Sequence, residues 1–137
     1  MAYTLQPYEP YNNCYHFVGH TKSRIKFFET EEMRTALSAA IIESVQVLPN
    51  KKVLAVATAY THFHALIQSN LPTYVIGKYL YGGTSRIMRS KFPALLELDK
   101  NRLWFGRAIM PIENEQHFKN SMSYITRHNP DNTKKDD

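Results

Sequence analysis

Apolar and polar positions change period several times along the chain, and each change marks an element. Residues 14–21, CYHFVGHT, alternate and read as a strand. The basic turn KSRIKFF follows, and Thr30 then has the character of a helix N-cap, with Glu31 and Glu32 in the first turn. Met33, Leu37, Ile41, Val45 and Leu48 recur at helical spacing until Pro49-Asn50. KVLAVATAY (52–60) is a strand, and HFHALIQ (62–68) either continues it or forms a second strand after a bend near Tyr60-Thr61. Pro72 opens another helix that runs towards Pro93, with Ile76, Leu80, Gly83 and Ile87 on one face and a weak point at Gly82-Gly83. RLWFGRAIMP (102–111) is a strand, and a last helix spans about Glu113 to His128 before Asn129-Pro130.

Strand, helix, strand, strand, helix, strand, helix lacks the regular alternation of a doubly wound sheet. It predicts an α+β domain, an antiparallel-rich sheet with helices packed on it. The chain, 1–137, is expected to be one domain, with 1–13 an irregular lead-in and 131–137 a disordered tail.

The last helix carries two stripes. Phe118, Met122 and Ile125 form an apolar one that should pack on the sheet. His117, Tyr124 and His128 lie about a quarter turn away, at the rim of that interface, with Tyr124 and His128 neighbours at i and i+4.

The strand at 62–68 carries the other chemistry. Alternate strand residues share a face, so His62 and His64 point the same way, about 7 Å apart at Cα. Phe63, Ala65 and Ile67 point oppositely, towards the core. Two imidazoles can converge on one transition metal, but two ligands do not close a site. Taken alone, the pair better suits two half-exposed strand histidines bonded to backbone or water. Taken alone, Tyr124 suits a boundary tyrosine, and His128 a cation at a helix C-terminus.

Composition narrows the partners. Seventeen Lys and Arg against twelve Asp and Glu give a net charge of +5 and a pI near 9.3. Nine tyrosines and seven phenylalanines among these basic residues suit stacking on unpaired bases, though a tyrosine-rich core would use them too. The single cysteine, Cys14, rules out an intramolecular disulfide and fits a reducing compartment. With neither a signal-peptide pattern nor an apolar run of membrane-spanning length, the expectation is a cytoplasmic protein without a membrane partner.

The histidine pair and the tyrosine helix, in this order, resemble the single-tyrosine HUH transposases of small insertion sequences and their relatives, the REP-associated tyrosine transposases. His62-Phe63-His64 stands where that family has H-U-H, and YITRHNP carries its tyrosine, Tyr124, followed by Ile125. HFVGHTKSRIKFF resembles the family's first strand and basic turn, TSRIMRSKFPAL (84–95) its basic helix, and LWFGRAIM (103–110) the strand before the tyrosine helix.

The resemblance implies an RNA-recognition-motif-like, ferredoxin-like sandwich. It implies metal-dependent cleavage and strand transfer of single-stranded DNA through a 5′-phosphotyrosine, a hairpin at the DNA ends, and a homodimer. His62 and His64 become metal ligands and Tyr124 the nucleophile. His128 stands where relatives often have a glutamine as third ligand. The expected ion is magnesium or manganese, with zinc a further option because a third imidazole favours softer metals. Lys22, Arg24, Lys78, Arg86 and Arg89 are the candidate DNA contacts. The chain departs from the pattern in having Tyr60-Thr61 rather than a Pro-Asp or Pro-Asn turn before the pair. It also lacks the lysine common near Tyr81 or Gly82. Two other readings remain: a non-catalytic single-stranded nucleic-acid-binding module, and a metal phosphoesterase that activates water.

Overall fold

The computed structural model describes residues 12–95 and 103–131. Four strands and three helices follow in the order β1 (Cys14–His20), α1 (Glu31–Val45), β2 (Lys51–Thr58), β3 (His62–Ser69), α2 (Thr73–Lys91), β4 (Gly106–Pro111) and α3 (Glu115–Thr126). A short 3-10 turn, Lys22–Arg24, links β1 to α1. The strands form one antiparallel sheet in the order β2-β3-β1-β4. This β-α-β-β-α-β arrangement is the ferredoxin-like α+β architecture with one helix added.

The sheet lies between two helical layers. On one face α1 and α2 pack together over Phe17, Phe63, Ala65 and Ile67. Gly83 permits their close approach: a Cβ there would lie 2.5 Å from that of Ser44. Helix α2 runs through Gly82-Gly83 without a break. On the other face Phe118, Met122 and Ile125 of α3 pack against Cys14, Leu66 and Ile112, as the apolar stripe requires. Every residue of β3 is buried, because this central strand is covered on both faces.

Several boundaries differ from the sequence expectation. Thr30 does cap α1, its hydroxyl accepting from the Met33 amide at 3.2 Å. The helix stops at Val45 rather than Leu48, because the amides of Gln46 and Leu48 turn to the carbonyls three residues back. Leu48 remains buried. The bend at 59–61 separates β2 and β3 into a hairpin.

Strand β4 starts at Gly106; of the expected run 102–111, residue 102 lies outside the described residues. Leu103 and Trp104 are drawn into the core instead, where Ser85 Oγ accepts from the Leu103 amide at 3.1 Å and Thr84 Oγ1 from the Trp104 indole at 2.8 Å. Helix α3 is shorter at both ends than 113–128. Asn114 caps it by accepting from the His117 amide, and His128 sits just beyond its last turn. The expected tail falls almost wholly outside the described residues, as does most of the lead-in.

Candidate active site and metal centre

Strand register decides which side chains meet. Pairing of His20 with His62 and of Val18 with His64 places His16, His20, His62 and His64 on one face, the face that α3 covers. The histidines lie at one end of that face. At the other, Cys14 and Leu66 bind α3 through its apolar stripe.

That stripe fixes the rotation of α3 and brings Tyr124 over the histidines. Beyond the helix, the Tyr60 amide donates to the Pro130 carbonyl at 2.9 Å and ties the chain to the β2–β3 hairpin. His128 is held between these two anchors.

The donor nitrogens of His62, His64 and His128 all lie within 4.8 Å of one another. Nε2 of His62 and Nε2 of His128 are 2.9 Å apart. A shared ion at imidazole bond lengths of about 2.0–2.1 Å needs donors spaced by roughly 3–3.5 Å, so small movements would accommodate one. The ring of Tyr124 is centred 5.3 Å from His64 and 5.3 Å from His128. Tyr124 is 37% exposed, and with Arg127, His128 and Asn129 it lines a cleft of about 340 Å³. The nucleophile candidate is thus open to solvent while His62 and His64 are sealed beneath it.

Both strand histidines engage a neighbour through Nδ1. His64 Nδ1 is 2.8 Å from Nε2 of His16, and His62 Nδ1 is 2.9 Å from the Thr61 hydroxyl. Burial pushes the His64 pKa down to about 2, reinforced by charge on His16, His128, His62 and His20. Burial, with His117 and His128, takes that of His16 down to about 4. His64 and His16 therefore resist protonation, and neutral imidazole is the form that binds metals. Three convergent imidazoles with no carboxylate among them suit manganese or zinc better than magnesium, and the set fits a divalent ion.

The basic candidates divide. Lys22 and Arg24 are exposed in the turn just after His20, at the histidine end of the sheet, where Lys22 Nζ lies 5.6 Å above the Phe105 ring. Lys78, Arg86 and Arg89 are on α2, across the sheet from the histidines. There Lys78 and Arg86 line a cleft of about 650 Å³ together with Glu43 and Val47.

Sequence reasoning did not single out His16, His20, Thr61 or Arg127. The spacing of His16 and His20 places them on one strand face. Only pairing with β3 shows that this face meets His62 and His64. His117 stands outside the three-donor set, its Nδ1 accepting from the Glu113 amide at the start of α3, although it is near enough to His16 to act on its charge.

Solved structures that share the fold include two transposases. A putative transposase from Deinococcus radiodurans R1 superposes with a TM-score of 0.66 at 20% identity, covering 92% of each chain. A REP-associated tyrosine transposase bound to a REP hairpin gives 0.54 at 17% identity, over 90% of this chain and 70% of that one. No curated protein matches the chain. The family description "Transposase IS200 like" matches residues 10–128, which include β1 through α3 and every histidine of the site. The chain belongs to the IS200-like transposase family.

Proposed function

We propose that this transposase cuts and rejoins single-stranded DNA with Tyr124 as nucleophile, at a divalent metal held by His62, His64 and His128. The supporting observation is the placement of one exposed tyrosine ring, edge-on to His64 and tilted against His128, 5.3 Å from each of these two of the three converging imidazoles. A metal bound there would polarise the scissile phosphate as a Lewis acid.

The rest falls to the chain's own residues. Tyr124 Oη attacks phosphorus, its proton leaves to solvent through the open cleft, and the P–O3′ bond breaks, the departing 3′-oxygen taking up a proton from solvent. One product is a 5′-phosphotyrosine, the other a free 3′-hydroxyl. Attack by a second 3′-hydroxyl reverses the step and releases Tyr124, so joining needs no nucleotide cofactor. Arg127 lines the same cleft and supplies a permanent positive charge for the phosphodiester.

Helix α3 crosses β2 and β3 and leaves Ala108 and Met110 of β4 exposed on the same face. That strip and the Lys22–Arg24 turn form the path we assign to the DNA strand. Lys78, Arg86 and Arg89 would contact DNA that wraps to the far face. A hairpin at the element ends, a homodimer and a cytoplasmic setting complete the reading. Among the described residues no helix is long and apolar enough to cross a membrane.

Incubation with single-stranded oligonucleotides and Mn²⁺ or Mg²⁺ tests the proposal on a denaturing gel. A slow-migrating covalent band that is lost in Tyr124→Phe, while DNA binding survives, supports it. Metal-dependent cleavage that persists in Tyr124→Phe and yields free 5′-phosphates would instead identify a water-using phosphoesterase.

A further inference from the structure

We propose that His16 is the positioning residue that prepares His64 to bind metal. His64 Nδ1 and His16 Nε2 are 2.8 Å apart, and both side chains are buried. Between two neutral imidazoles such a contact has two forms, because one nitrogen must donate and the other accept. If His16 Nε2–H donates, His64 carries its own proton on Nε2, and that nitrogen cannot coordinate. If His64 Nδ1–H donates, His64 Nε2 presents a lone pair towards His62 and His128, and His16 holds its proton on Nδ1. Metal binding is compatible only with the second form.

His16 thus ties its own tautomer to the loading of the site, and it also fixes the plane of the His64 ring. An outer partner of this kind raises ligand basicity and commonly controls affinity by 10–100-fold. Backbone register makes the contact structural rather than accidental. His16 and Val18 are successive residues on the α3-facing side of β1, and Val18 pairs with His64, so His16 lies diagonally across from it. Thr61 is the corresponding partner for His62, but its hydroxyl changes between donor and acceptor by rotation alone, so no second ring's tautomer is tied to His62.

The inference rests on the metal site proposed above, and the test separates the two. Manganese affinity is measured by calorimetry on the wild-type chain, His16→Phe and His16→Gln, with circular dichroism checking the fold. Gln places an amide oxygen near the position of Nε2 and can accept from His64, whereas Phe cannot.

The expected result is affinity 10–100-fold weaker in His16→Phe and within a few-fold of wild type in His16→Gln. Equal affinity in wild type and folded His16→Phe overturns the role of His16 and leaves the metal site standing. No binding by the wild type overturns both.

Nitrogen-15 spectra of the wild-type chain with zinc give a reading that needs no variant. Protonated Nδ1 and zinc-bound Nε2 on His64 are expected. Coordination through His64 Nδ1 contradicts the inference.

Discussion

At the residue scale, the histidine cluster makes stability depend on pH. His64 and His16 have folded pKa values of about 2 and about 4, below the unfolded value near 6.5. Above pH 6.5 both groups are neutral in either state and contribute nothing to the pH dependence. As pH falls below 6.5 the unfolded chain gains protons that the folded chain refuses, so stability falls. The slope is roughly 1 kcal/mol per pH unit for each group, down to about pH 4 for His16 and further for His64. Urea midpoints measured without metal should therefore drop steadily between pH 7 and pH 5, and a flat profile would contradict the burial of these imidazoles. Saturating Mn²⁺ should raise the midpoint at pH 7, because only the folded chain assembles the three donors.

The same scale shows how far sequence reading reaches. Spacing made His62 and His64 legible as one face-sharing pair and Tyr124 and His128 as another, but it was the family resemblance, not the spacing, that joined the two pairs into one candidate site. His16 and His20 were not legible. Their part in the cluster depends on β1 pairing with a strand more than forty residues away, and register across such a gap leaves no local pattern.

At the element scale, α3 matters as a carrier of Tyr124 and of His128 just past its end. Its hold on the sheet is narrow, with Ile125 the buried apolar anchor and Phe118 and Met122 beside it. Ile125→Ala should cost about 2–4 kcal/mol in chemical denaturation. It should also weaken metal binding in the molecules that remain folded, since α3 loses its fixed rotation. Wild-type Mn²⁺ affinity in this variant would show that α3 is positioned by something else.

Gly83→Val tests the opposite face. Its added side chain meets Ser44 and should lower stability by about 1–3 kcal/mol, with little effect on metal affinity.

The elements themselves were largely readable, since caps and periodicity are local. The misplaced ends have tertiary causes. Trp104 leaves the line of β4 because Thr84 on α2 offers its indole a partner. A strand-like run of apolar residues does not reveal that competition.

At the scale of the whole molecule, the sandwich separates two basic regions that the chain presents as similar. Lys22 and Arg24 follow β1 to the histidine end of the sheet, whereas the cations of α2 lie beyond the sheet. Which face a helix covers is set by the chain's crossovers, not by the helix's own residues.

If the strand path runs past the Lys22–Arg24 turn, replacing either cation by Ala should weaken single-stranded DNA binding without regard to sequence. It should also reduce the slope of log affinity against log salt by about 1. An unchanged slope would move the path elsewhere.

The central claim is that Tyr124 forms the covalent bond to DNA. It is tested most directly by trapping the adduct with an oligonucleotide and Mn²⁺, digesting with trypsin, and locating the nucleotide by mass spectrometry. The account predicts a 5′-phosphonucleotide on Tyr124, in the peptide running from Asn120 to Arg127. Attachment at any other residue, or a cleaved strand bearing a free 5′-phosphate and no protein, would contradict it.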